Sequence, residues 1–159
     1  MLSVIYHPDG IFGNLPAHAR FSLDLQPAKL VWQETNHANP DGPFVFTSKA
    51  ETPSSGIQVT VEIKNGHPQN VQKGVENLFQ RNFFSKYQIL EVHQIQVQEL
   101  SGYEGYAIEQ NTVHEINRLE YVAILLMPES HITFTCIAPD DRITHLTSFR
   151  KLIKSYRQI

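Results

Sequence analysis

The chain has one cysteine, Cys136, among its 159 residues. An intrachain disulfide is therefore impossible, and no cage of thiolates can hold a zinc ion. Basic residues are also scarce: 13 Lys plus Arg stand against 16 Asp plus Glu, for a net charge of −3. A mildly acidic domain is poorly suited to phosphate backbones, so nucleic acid is not an expected partner. Long apolar runs are missing as well. The longest is Tyr121 to Met127, far short of the roughly 20 residues of a spanning helix, so no direct membrane span is expected. The start, Met1-Leu2-Ser3-Val4-Ile5-Tyr6-His7-Pro8, has no basic residue to open a secretory leader. The expected compartment is the cytoplasm, or the periplasm or envelope if a leader has already been removed.

What is present suits a single domain with a substantial core. The apolar share is 41 % and the charged share 18 %. The domain is expected to span residues 1–159, with an irregular N-terminal part over 1–56 and the core over 57–159. The first part holds Pro8, Pro16, Pro27, Pro40, Pro43 and Pro53. Between them lie three short strand-like pieces, Phe21–Leu25, Leu30–Trp32 and Phe44–Thr47.

The core begins with the clearest amphipathic strand in the chain. Ile57, Val59, Val61 and Ile63 alternate with Gln58, Thr60 and Glu62, and Asn65-Gly66 ends the run. A helix follows, with Pro68 suited to its first turn and Val71, Val75, Leu78, Phe79 and Phe83 on one stripe. Gly74 costs this helix about 1 kcal/mol relative to alanine, a loss consistent with close packing on a sheet. A four-strand meander is expected next: Ile89–Leu100, a turn at Ser101-Gly102, Tyr103–Val113, Leu119–Met127, and His131–Ala138. Asp140 or Asp141 is placed to cap a last helix with the stripe Ile143, Leu146, Phe149, Ile153 and Tyr156. Lys151, Lys154 and Arg157 complement its dipole.

Pairing Met127 with Ile132, Leu125 with Phe134 and Ala123 with Cys136 collects Tyr121, Ala123, Leu125, Met127, Ile132, Phe134 and Cys136 on one face. Both helices are expected on that apolar face. The opposite face would carry Val122, Ile124 and Leu126 beside Thr133, Thr135 and Ile137. It is too apolar for a solvated face. Either the proline-rich first third folds over it or it serves as a groove for an apolar segment of a partner. Val122, Ile124, Leu126, Thr133 and Thr135 are the candidate partner-binding residues.

The chemical motifs are weaker than this pattern. Eight histidines include no HxH or HExxH pair, so no metal site is expected. Ser148-Phe149-Arg150-Lys151 matches S-x-x-K, but the further motifs that give it meaning are missing, and Phe149 reads as core. Cys136 sits mid-strand as a small hydrophobe. Asp140-Asp141 reads as a cap. Neither common glycine-rich phosphate loop is present, so no cofactor is expected. With no nucleophile, base and oxyanion donor to assemble, the chain is expected not to be an enzyme.

The order of elements from 57 to 157 resembles the PsbP-like superfamily. The likeness rests on the strand Ile57–Ile63 and the helix with Val71, Val75, Leu78 and Phe79. It continues in the run Gln98-Glu99-Leu100-Ser101-Gly102-Tyr103-Glu104-Gly105-Tyr106-Ala107-Ile108-Glu109 and the strand Ile132–Ala138. It closes on Phe149-Arg150-Lys151-Leu152-Ile153-Lys154-Ser155-Tyr156. The superfamily includes the photosystem extrinsic protein, the Ran-binding import factor, DcrB-type proteins and the Eag-type chaperones of type VI secretion. The resemblance implies an α+β fold, an antiparallel β-sheet with two main helices. It also implies a non-catalytic adaptor or chaperone that holds an apolar or membrane-destined segment of a protein partner on a sheet face. Alternatives are an accessory protein of an envelope or membrane complex and, last, a small-molecule binder or hydrolase.

Overall fold

A computed structural model describes residues 21–23, 30–32, 44–48, 56–79, 85–111, 116–140 and 143–158. The alternating strand expected at 57–63 is β4 (Gln58–Asn65), preceded by β1 (Phe21–Ser22), β2 (Leu30–Trp32) and β3 (Phe44–Ser48). Helix α1 (Val71–Leu78) follows, then β5 (Ser85–Val97), β6 (Leu100–Asn111), β7 (Ile116–Leu126) and β8 (Ser130–Ala138). The chain continues into helix α2 (Ile143–Lys154) and β9 (Arg157–Gln158). Seven strands form one antiparallel sheet in the order β2-β3-β4-β8-β7-β6-β5, and β1 pairs with β9 in a separate ladder. Antiparallel neighbours throughout, with two helices, make the domain α+β.

The β7–β8 hairpin pairs Leu125 with Ile132, Ala123 with Phe134 and Tyr121 with Cys136. This register is two residues away from the expected one. The loop is Met127–Glu129, closed by Met127 N–H donating to Ser130 O at 2.9 Å. A shift of two preserves the side-chain phase, so each face keeps its expected residues.

The placing of the helices needs a larger correction. α2 lies on the face of Tyr121, Ala123 and Leu125, where Leu146, Phe149, Leu152 and Ile153 complete a buried core with Ile132 and Phe134. Tyr121 and Phe149 stack at 6.1 Å between ring centroids. α1 lies on the opposite face, where Val75 and Phe79 pack on Ala107, Val122 and Ile124. The two helices are therefore on opposite sides of the sheet, not together. The physical reason is the composition of β7. A strand that is apolar on both faces needs a cover on each, and one helix is available per face. Of the first third, the described strands β2 and β3 extend the sheet beyond β4.

Smaller differences have local causes. Ser101-Gly102 is not a turn but the start of β6, and the β5–β6 hairpin turns at Gln98-Glu99, where Gln98 takes φ 57°. Gly102 is required by proximity: a Cβ there would lie 1.8 Å from the carbonyl oxygen of Ile124 on β7. Asn70, not Pro68, opens α1, its side chain accepting from Lys73 N–H at 3.0 Å. Ile143 begins α2 but is 59 % exposed, so it is not part of the core stripe. Phe83, Asp141 and the part of the first strand beyond Leu23 lie outside the described residues.

Candidate protein-binding groove

α1 covers β5, β6 and β7 and stops short of β8 and β4. Val122 and Ile124 are buried beneath it, Ile124 at 2 % exposure, and Leu126 packs half-buried against the same cluster. As residues of a free docking surface, Val122 and Ile124 are thus corrected: the chain's own helix occupies their face. The approach is close. A Cβ on Gly74 of α1 would sit 3.3 Å from Ile124 Cδ1, and one on Gly105 of β6 would sit 3.1 Å from Val75 Cγ1. The two glycines let the helix settle on the sheet.

Among the described residues, no helix lies over the β4–β8 strip of that face. Register sets Thr60 of β4 beside Thr135 of β8, Glu62 beside Thr133, Gln58 beside Ile137, and Lys64 beside His131. With Leu78 of α1 as a wall, all of these except His131 line a groove of about 290 Å³. Its floor is a short field of threonine hydroxyls, with Leu78 and Ile137 as apolar flanks. Glu62 and Lys64 stand at the rim, 3.7 Å apart and well solvated. The groove lies below the usual size of an enclosed small-molecule pocket, which starts at roughly 300 Å³. Of the five candidate residues, Thr133 and Thr135 line it. Gln58, Thr60 and Glu62 were not among the candidates. They are the polar phase of β4, and only the β4–β8 register unites them with Thr133 and Thr135.

Two carboxylate clusters flank the helices. On the α2 face, Glu104 of β6 is buried. Its Oε2 accepts from the Tyr121 hydroxyl, and its Oε1 accepts from Arg150 Nε at 3.1 Å and lies 2.8 Å from His93 Nε2. The other ring nitrogen of His93 lies 2.8 Å from Glu91. Arg150 stands 3.6 Å from Glu91 and over the Tyr106 ring at 5.6 Å, so it ties α2 to β5 and β6. Burial, and then the Glu104 charge, pushes the Tyr121 phenol well above its ordinary value, so it stays a donor. On the α1 face, Glu109 accepts from Tyr87 Oη at 3.0 Å and from Arg118 Nε at 3.0 Å, with the Arg118 terminal nitrogen also bound. Burial alone would raise the Glu109 carboxyl, but the Arg118 and Tyr87 hydrogen bonds outweigh it and hold the group below its usual range.

Both carboxylates are saturated by donors, which is the arrangement of a structural anchor and not of a general base awaiting a proton. Cys136 is fully buried, and desolvation pushes its thiol well above the ordinary value, so no thiolate is available there. Among the described residues no three His, Cys, Asp or Glu side chains are placed to hold a metal ion. His67 Nε2 and His131 Nδ1 instead contact the backbone carbonyls of Met127 and Gly66, pinning the loop after β4 to the β7–β8 loop. Among the described residues, no helix is long and apolar enough to cross a membrane.

No protein-family model matches the chain, and no curated protein matches it. Solved structures do. LpqN of Mycobacterium tuberculosis, involved in cell envelope biogenesis, is 10 % identical with a TM-score of 0.64 over 86 % of this chain and 82 % of its own. The cyanobacterial PsbP of Synechocystis sp. PCC 6803 is 13 % identical, with a TM-score of 0.57 over 88 % and 92 %. A point mutant of the protein Mog1 is 13 % identical, with a TM-score of 0.59 over 82 % and 87 %. At such identities the likeness speaks for architecture: the chain has the PsbP-like α+β fold that PsbP, LpqN and Mog1 share.

Proposed function

We propose that the protein is a non-catalytic adaptor or chaperone that holds an extended, partly apolar segment of a partner protein in the groove beside α1. The observation that carries this reading is the groove on the α1 face over β4 and β8, which no described helix covers, with Thr60, Thr133 and Thr135 in its lining beside Leu78 and Ile137. Both strands are paired on each side, β4 with β3 and β8, and β8 with β4 and β7. Over the threonine floor, where β3 pairs with Gln58–Val61 and β8 is paired with both β4 and β7, a partner segment therefore lies across the face and binds through side chains and not by strand addition. Thr60 and Thr135 offer hydroxyls to polar groups of that segment, and the flanks take its apolar side chains. This reading follows the resemblance to the Eag-type and DcrB-type proteins. On it the chain works in the cytoplasm, or in the envelope if a leader precedes it.

A second reading is an accessory role in an envelope or membrane complex. What favours it is the shared fold with LpqN, a protein involved in cell envelope biogenesis.

The test is site-specific photo-crosslinking in the source cells, with the photoreactive residue at Thr135 or, as control, at exposed Lys151 on α2. The expected result is one discrete product from position 135, none of it from 151, with the cross-link mapping to an extended segment. Adding Thr60→Arg should suppress that product at least about tenfold, since it fills the groove with a charge (about 1.4 kcal/mol per decade). Equal products from both positions, or none from 135, would refute the groove.

A further inference from the structure

We propose that the outer edge of β5 is a self-association surface, pairing antiparallel with β5 of a second copy about a two-fold axis through Gln88. β5 ends the seven-stranded sheet, and among the described residues nothing pairs with its outer side. It is 13 residues long. Two large apolar side chains are exposed on it, Ile89 at 36 % and Leu90 at 46 %. A long edge with exposed apolar groups is a template for a further strand.

The identity of that strand follows from the β-bulge between Ile89 and Glu91. Lys86 and Glu91 are five residues apart, and in a regular strand they would point to opposite faces. The bulge cancels one step. Lys86 pairs with Gln110 and Glu91 with Tyr106, four positions apart in β6, so both lie on the same face of the sheet. An antiparallel edge pair is related by a two-fold axis perpendicular to the sheet, which keeps each side chain on its own face. With the axis at Gln88, Lys86 of each copy meets Glu91 of the other, and Tyr87 meets Ile89 of the other. Both contacts form twice by symmetry. Moving the axis one ladder step pairs Lys86 with His93 or with Gln88 instead, and the ion pairs are lost. Glu91 remains 45 % exposed although His93 and Arg150 approach it, so its carboxylate is accessible from the edge.

Bulges and lysines also serve to protect edges from association. Protection would set like charges against their own images. Here the bulge sets opposite charges together, and the edge is self-complementary. A ladder of this length belongs to the small interface class, below about 1,200 Å² in total, so the dimer is weak, with a dissociation constant of about a micromolar or more. The contact is independent of the groove beside α1, and either can fail without the other.

The experiment is sedimentation equilibrium of the full chain from micromolar to millimolar protein, with circular dichroism to establish folding of each variant. The wild type should show a monomer–dimer equilibrium. Lys86→Glu alone and Glu91→Lys alone should each raise the dissociation constant at least about tenfold, since each sets two like-charge pairs across the axis. An equimolar mixture of the two should associate again as a heterodimer. A wild type that is monomeric throughout overturns the proposal, as does a dimer indifferent to either reversal or a mixture that stays monomeric. Lys86 is exposed at the edge, so Lys86→Glu carries the test alone if Glu91→Lys does not fold.

Discussion

The contact between Gly74 and Ile124 predicts a measurable coupling between the first helix and the third-from-last strand of the chain. Gly74→Ala in an isolated helix would stabilise by about 1 kcal/mol. In this protein the new methyl would stand 3.3 Å from Ile124 Cδ1, tighter than the roughly 3.5–4.0 Å of relaxed carbon contact. The tip of Ile124 must move within a buried site, and that cost offsets much of the propensity gain. Ile124→Val removes the offending carbon and by itself costs about 0.5–1.5 kcal/mol. In the valine background the same Gly74→Ala change should therefore recover its full gain of about 1 kcal/mol, giving a favourable coupling of about 0.5–1 kcal/mol. Urea unfolding of the wild type, both single variants and the double variant measures this directly. If α1 lay on the α2 face, as the sequence pattern alone suggested, residues 74 and 124 would be on opposite sides of the sheet. The two changes would then add without coupling, and the sandwich described here would be refuted.

Two further outcomes follow from particular contacts. Glu109 has its folded-state carboxyl held below its reference value of 4.5, so its stabilising contribution is fully present above that pH and is lost as the pH falls through the lowered value. Glu109→Gln should cost about 1–3 kcal/mol at neutral pH, and its unfolding free energy should fall less steeply than that of the wild type on acidification below about pH 4.5; parallel acid limbs would contradict this. Gly102→Ala should cost more than about 4 kcal/mol, because its Cβ would meet the Ile124 carbonyl at 1.8 Å and neither backbone can yield without separating β6 from β7. Gly66→Ala, at φ 75° but with open space around it, should cost only about 1–2 kcal/mol, and equal losses at the two positions would discredit the steric account.

The local elements were legible in the sequence where the periodicity was strong. The alternation from Ile57 to Ile63 produced β4, the stripe of Leu146, Phe149 and Ile153 produced α2, and the two phases of β7 and β8 sorted onto their faces as the pattern required. A period of two survives a register error of two, which is why the hairpin faces came out right although the pairing did not. Gly102 misled because a glycine that signals a turn and a glycine that admits a neighbouring backbone are the same letter; only the position of β7 distinguishes them.

By itself, then, the chain determined which residues seek burial and with what periodicity, because those preferences are local and each residue carries them alone. Which helix meets which face was a tertiary decision. Gly74 of α1 admits close approach to Ile124 and Gly105 of β6 admits that of Val75 on one side, where Ala107 also packs, while Tyr121 and Phe134 on the other side are covered by Phe149 of α2 and by Tyr156. That choice moved the candidate surface from Val122 and Ile124 to the neighbouring strip with Thr60, Thr133 and Thr135. A groove consists of what a helix leaves uncovered, and no single strand's sequence records where its neighbour's cover ends.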